Sequence, residues 1–141
     1  MNANRKLFLV VVAAVEAATG LGLLLLPSVA FALLLGLDSA AVEAIFVGRI
    51  AGTALLAIGV ASWMARRDRV SHSLFGLLIG ILIYNTGVSI LLVYSAAVLK
   101  MTGVMLWPTV LFHALLAIWG GVLLGGIPSE LREETGENRK S

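Results

Sequence analysis

The chain has 141 residues, of which 60% are hydrophobic and 13% are charged, and its mean hydropathy is +1.01. A soluble domain carries about a quarter charged residues, so this composition predicts an integral membrane domain. The net charge of +2 comes from short basic blocks at the ends of apolar runs, which indicates membrane topology rather than a nucleic-acid surface. The absence of cysteine excludes disulfides, thiolate metal sites and thiol nucleophiles.

The first two predicted elements are separated by a proline. After a polar lead with Arg5 and Lys6, residues 7–26 form an apolar run long enough to span a bilayer. We interpret this run as an uncleaved first span, because it is long for the apolar region of a signal peptide. Pro27 ends the helix. Residues 28–37 are apolar but too short to span, so they predict a short helix or turn at the outer interface, or a re-entrant segment.

Three further apolar runs predict the remaining spans, at about residues 41–64, 73–99 and 104–125. The segment 128–141 is polar and mixed in sign, which predicts a disordered cytoplasmic tail. The expected fold is therefore an all-α four-helix transmembrane bundle, with a single domain over residues 1–127.

The basic residues predict the orientation of this bundle. Of the ten lysines and arginines, Arg49 lies within a span, Lys100 falls on one side, and the other eight fall on the opposite side. Cytoplasmic loops carry an excess of basic residues, so both termini are predicted to be cytoplasmic.

Each predicted span carries a strong polar feature near its middle: Glu16, Arg49, the pair Tyr84–Asn85, and His113. Polar and ionisable side chains are costly in lipid and usually have a partner or a use. Helical rise places Glu16 and His113 roughly 14 Å from opposite edges of the membrane, and it places the others at similar depth. The sequence therefore predicts one buried polar cluster, in which Glu16 and Arg49 are close enough to form an ion pair.

Small residues share the helix faces of these polar groups, and small residues are typical of helix–helix seams in membranes. We therefore expect the polar groups to face protein rather than lipid. The small neighbours are Ala13 and Gly20 for Glu16, Gly52 and Thr53 for Arg49, the stripe Gly76, Gly80 and Gly87 for Tyr84, and Thr109, Ala117 and Gly120 for His113.

Each polar residue has a structural interpretation beside a functional one. Glu16 and Arg49 could fix the helix order as an ion pair, or serve as a proton-exchanging carboxylate or an anion clamp. Tyr84 and Asn85 are interpreted as interhelical hydrogen-bonding residues. His113 is either a satisfied core histidine or a group that relays protons or binds a ligand.

No cofactor or metal is predicted. His72 lies at the cytoplasmic edge and His113 near the middle, roughly 15 Å apart along the membrane normal, so the two cannot share a haem. One central histidine with one carboxylate and no cysteine is a poor zinc site. The sequence holds no serine triad, phosphate-binding loop or dinucleotide motif, and it predicts no particular reaction or catalytic residue.

Three strings are similar to a widespread group of small bacterial membrane proteins: GRIAGTALLAIGVASW at 48–63, IYN at 83–85 and LWPTVLFHALLAIW at 106–119. The order of Glu16-x-x-Thr-Gly, a proline after the first span and an arginine in the second resembles DoxX-like four-helix proteins. The resemblance covers most of residues 16–119. It implies a bundle in the bacterial inner membrane, and it implies no activity or cofactor.

Three functions remain open from the sequence. The first, which we expect, is an accessory membrane protein with a structural polar core. The second is a site for a lipid, quinone or isoprenoid, with Glu16 and His113 available for acid–base work. The third is an oligomeric proton-coupled transporter. A closed core favours the first, a cavity open to lipid the second, and a wet vestibule the third. The expected partners are membrane lipid and either a second copy or a larger membrane complex, with no nucleic acid.

Overall fold

The computed structural model describes residues 3–126, which are all-α, with four helices long and apolar enough to cross a membrane. The predicted tail, at 128–141, lies outside the described residues. The helices are α1 (Ala3–Leu25), α2 (Pro27–Leu35), α3 (Val42–Ala65), α4 (His72–Ala97) and α5 (Leu106–Gly125). The four-helix bundle is confirmed, and the long helices start and end within four residues of the predicted spans.

The short helix α2 follows α1 after one residue. Pro27 occupies its first turn, where a missing backbone N–H costs nothing. Gly36 ends it in a left-handed conformation with φ of 74°, which glycine adopts without steric cost. At nine residues α2 is far too short to span, so the predicted short helix is confirmed.

The two closest helix pairs are α1 with α3 and α4 with α5. Between α1 and α3 the backbones touch. A Cβ added to Gly20 would lie 2.7 Å from the carbonyl oxygen of Gly52, and one added to Gly52 would lie 2.6 Å from that of Gly20. A Cβ added to Gly59 would lie 3.1 Å from the α1 backbone at both Ala13 and Ala17, a tight but less close approach. The predicted small-residue seam is therefore confirmed for α1 and α3.

The predicted glycine seam on α4 is wrong. No atom lies within 4 Å of a Cβ added to Gly76, Gly80 or Gly87. The buried face of α4 includes Leu74 and Leu78 instead. Gly76 is two residues from each of them, which is about 200° around the helix, so the glycines face away from the protein.

The end of the bundle with residues 3 and 126 and the α3–α4 loop, here named the terminal end, has a packed core. Phe8 is fully buried, and its ring meets the Trp119 ring edge to face with 5.3 Å between centroids. Gly120 lies beneath the Phe8 ring. Buried leucines of α4 and α5 join the same core, so α1 and α5 are in close contact at this end.

The opposite end, here named the α2 end, is held together through α2. The backbone N–H of Met105 donates to the carbonyl oxygen of Leu33 at 2.9 Å. A side chain at Gly103 would collide with the backbone of Leu34, and the Phe31 ring covers Gly48 of α3. The helix α2 therefore bridges α3 and the start of α5.

Candidate functional site

The polar centre of the bundle is formed by one side chain from α4 and one from α5. Asn85 is fully buried, His113 is 6% exposed, and Oδ1 of Asn85 lies 2.7 Å from Nδ1 of His113. On its other side the Asn85 amide is held by its own helix, because Nδ2 donates to the carbonyl oxygen of Ile81 at 2.8 Å. The predicted interhelical hydrogen bonding of Asn85 is confirmed.

Tyr84 and Glu16 extend this centre towards α1. The Tyr84 and His113 rings meet edge to face, with 5.7 Å between centroids and 81° between planes. The Tyr84 side chain lies near the Glu16 carboxyl group, without a hydrogen bond to either of its oxygens. Four of the five predicted residues, contributed by three helices, therefore lie together. We name Glu16, Tyr84, Asn85 and His113 the polar cluster.

Glu16 is the least satisfied member of the polar cluster. Its side chain is 1% exposed, and neither carboxyl oxygen makes a hydrogen bond within residues 3–126. Burying a polar group without a hydrogen bond is costly, and burying a charge without a partner is more so. The α1 side of the polar cluster thus keeps unused hydrogen-bonding capacity.

The predicted ion pair between Glu16 and Arg49 is wrong. Arg49 is exposed on α3, while Glu16 is buried and makes no hydrogen bond to it. The buried face of α3 contains Gly48 and Gly52, and Arg49, next to Gly48, lies about 100° around the helix. The backbone contact between Gly20 and Gly52 also leaves no room for an arginine side chain in the seam.

A cavity of about 520 Å³ lies beside the polar cluster, among α1, α2 and the start of α5. His113 contributes to its wall, together with the hydroxyl-bearing side chains of Thr19 and Thr109. The remaining lining residues are apolar, among them Leu23 and Phe112. The cavity therefore offers a large apolar space with a few polar groups on its wall.

The cavity is partly open, and some of its lining residues are exposed. Thr19, Leu33 and Pro108, all on its wall, are exposed. Thr19 lies six residues before the end of α1, which is about 9 Å along the helix axis. In a helix that spans a membrane this is within the hydrocarbon region, so the Thr19 part of the wall lies at the depth of lipid chains.

Sequence reasoning did not predict this cavity. In the sequence Thr109 stands out only as a small neighbour of His113 and Thr19 only as part of a short motif, and nothing in residues 28–37 indicates a part in a site. The spacing of four between Thr109 and His113 was the available signal, because it places both on one face of α5. Cavities depend on how helices diverge, and helical periodicity does not report that divergence.

Among residues 3–126 no group of three or more histidine, aspartate or glutamate side chains could hold a metal ion. Comparisons of the chain with models of protein families, with curated proteins and with solved structures found no match. The class of the protein therefore follows from its fold and site alone. It is a multi-pass helical membrane protein with an apolar cavity beside a buried polar cluster.

Proposed function

We propose that this protein binds a small apolar molecule with a polar head, which enters the cavity from the bilayer. The observation that carries this proposal is the cavity of about 520 Å³ next to His113. Ligand sites in proteins are commonly clefts of about 300–1,000 Å³ with apolar walls and a few well-placed polar groups. A lipid, a quinone or an isoprenoid has the matching chemistry, with its chain along Leu23 and Phe112 and its head at His113.

The cavity favours this function over a purely structural core. Asn85 and His113 already satisfy each other through a direct hydrogen bond, so their structural role needs no adjacent space. A bundle that kept these residues only for stability would gain by closing around them, because empty apolar volume forfeits packing contacts. The exposure of Thr19 at the depth of the lipid chains favours entry of an apolar ligand over a water-filled pathway for protons. The accessory and proton-transport roles stay predictions.

We also propose a bacterial inner membrane location with both termini cytoplasmic. The support is the distribution of basic residues, because Arg5 and the 66–69 block lie at the terminal end, where Arg5 donates to the carbonyl oxygen of Asp68 at 3.0 Å. Lys100 lies at the α2 end. The resemblance to DoxX-like proteins is a prediction that agrees with this location. In this orientation the cavity opens within the outer leaflet.

The binding proposal is tested by filling the cavity. Ala30 lines it from α2, and Ala54 is an exposed helical residue of α3 that does not. Wild type, Ala30→Phe and Ala54→Phe would be purified in lipid nanodiscs, and their bound small molecules identified by mass spectrometry. We expect a retained apolar molecule in wild type and Ala54→Phe and its loss in Ala30→Phe at unchanged melting temperature. Equal retention in all three, or none in wild type, contradicts the proposal.

A further inference from the structure

The Asn85 amide fixes the hydrogen-bonding chemistry of the neighbouring histidine. Nδ2 of Asn85 donates to the carbonyl oxygen of Ile81, an atom that can only accept, so the nitrogen of the amide lies on that side. The oxygen, Oδ1, therefore faces His113, with Nδ1 2.7 Å away. Because an amide oxygen only accepts, Nδ1 of His113 carries the hydrogen.

The other ring nitrogen of His113 is consequently an acceptor. In a neutral imidazole one nitrogen donates and the other accepts, so Nε2 presents a lone pair. Within residues 3–126, the buried side-chain atoms that lack a hydrogen bond belong to Glu16 and Ser62 only. Nε2 is not one of these atoms, and its ring is hydrogen-bonded only through Nδ1. Nε2 therefore keeps accessible surface. Because His113 is part of the cavity wall, the cavity is the space that Nε2 can face.

We propose that the cavity selects a ligand whose polar head donates a hydrogen bond, namely an apolar molecule with a hydroxyl group, over the corresponding carbonyl compound. This inference rests on the proposed function and narrows the ligand class of the same site to hydroxyl-bearing molecules, such as an isoprenoid alcohol or a reduced quinone, and excludes the oxidised quinone. A carbonyl oxygen at Nε2 would bring two acceptors together and leave both unpaired, which is costly away from water. The hydroxyls of Thr19 and Thr109 can donate or accept, so they serve both classes and the discrimination falls to His113.

The first test needs no ligand. Histidine labelled with nitrogen-15 in the full chain, in nanodiscs, reports by NMR which ring nitrogen carries the hydrogen. His113→Gln assigns the signal, since His72 is the other histidine of the chain. We expect the hydrogen of His113 on Nδ1. A hydrogen on Nε2 overturns the inference and leaves the proposed function standing.

The second test uses menthol and menthone, which share one carbon skeleton and differ in a hydroxyl against a carbonyl group. Both compounds are titrated into the labelled protein. We expect menthol to bind about tenfold more tightly than menthone, because it makes about one more hydrogen bond, and to shift the Nε2 signal. Equal or tighter binding of menthone overturns the inference but not the proposed function. Binding of neither probe overturns both.

A third measurement separates the histidine's hydrogen-bonding state from the shape of the cavity. Asn85→Leu keeps a side chain of similar size and removes the acceptor for Nδ1, so the ring is free to place its hydrogen on Nε2 and donate to a ketone. We expect the preference for menthol to fall from about tenfold to near onefold. Ser95→Ala, a buried change elsewhere on α4, should keep the full preference. A preference retained in Asn85→Leu overturns the inference.

Discussion

Gly52→Ala tests whether the bundle is set by backbone contact between α1 and α3. The added Cβ would lie 2.6 Å from the carbonyl oxygen of Gly20 and 2.8 Å from the backbone nitrogen of Leu24. Both are backbone atoms, so no side-chain rotation relieves the overlap. Gly80→Ala is the matched control, because it makes the same change on α4 with no atom within 4 Å.

The cost of Gly52→Ala follows from these distances. Ordinary van der Waals contact begins near 3.4 Å, so α1 and α3 must separate by about 0.8 Å at the crossing. Overpacking of this kind costs about 1–3 kcal/mol, of which the better helix propensity of alanine returns at most about 1 kcal/mol. We expect a net loss of about 1–2 kcal/mol in Gly52→Ala and no loss in Gly80→Ala.

The assay is reversible unfolding in mixed micelles, followed by circular dichroism, which gives the free energy of unfolding of each variant. A spin-label pair across α1 and α3 would report the separation of the helices directly. If Gly52→Ala and Gly80→Ala have the same stability, the two helices do not approach as closely as the structure shows and the argument from backbone contact fails.

Two further predictions follow from the placement of the charged residues. Because Arg49 is exposed and Glu16 is buried without it, the effects of Glu16→Gln and Arg49→Leu on the free energy of unfolding should add within about 0.5 kcal/mol in a double-mutant cycle; coupling of several kcal/mol would mean that they pair. Reporter fusions after residue 39 and after residue 141 should give extracytoplasmic and cytoplasmic signals respectively, and a cytoplasmic signal at residue 39 would refute the orientation.

The sequence predicted those features that depend on length and on spacing along one helix. The spans follow from runs of apolar residues, and α2 follows from Pro27 and a run too short to cross. Asn85 and His113 were placed at similar depth by helical rise, and depth is what two facing helices need to bring them together. Their hydrogen bond is the result.

The failures concern direction around a helix. Every residue of a membrane helix is apolar or small over long stretches, so little in the pattern distinguishes a face towards protein from one towards lipid. Small residues near Arg49 and Gly80 predict a helix–helix seam at each of these positions. Arg49 is beside the buried face of α3, and Gly80 lies opposite the buried face of α4. Small residues permit close approach, but whether a partner helix is there depends on the rest of the bundle.

The glycine seam and the cavity lie side by side on α1, at Gly20 and Thr19 respectively. Gly20 and Gly52 let α1 approach α3 to backbone contact. At the terminal end the large rings of Phe8 and Trp119 pack together between α1 and α5. At the α2 end the side chains of α1 and α5, among them Thr19, Thr109 and the larger Leu23 and Phe112, line the cavity instead of filling it. The helix α2 covers the cavity at the α2 end, where it is held by its hydrogen bond to the start of α5. The fold thus keeps a cavity next to His113 without a break in any spanning helix.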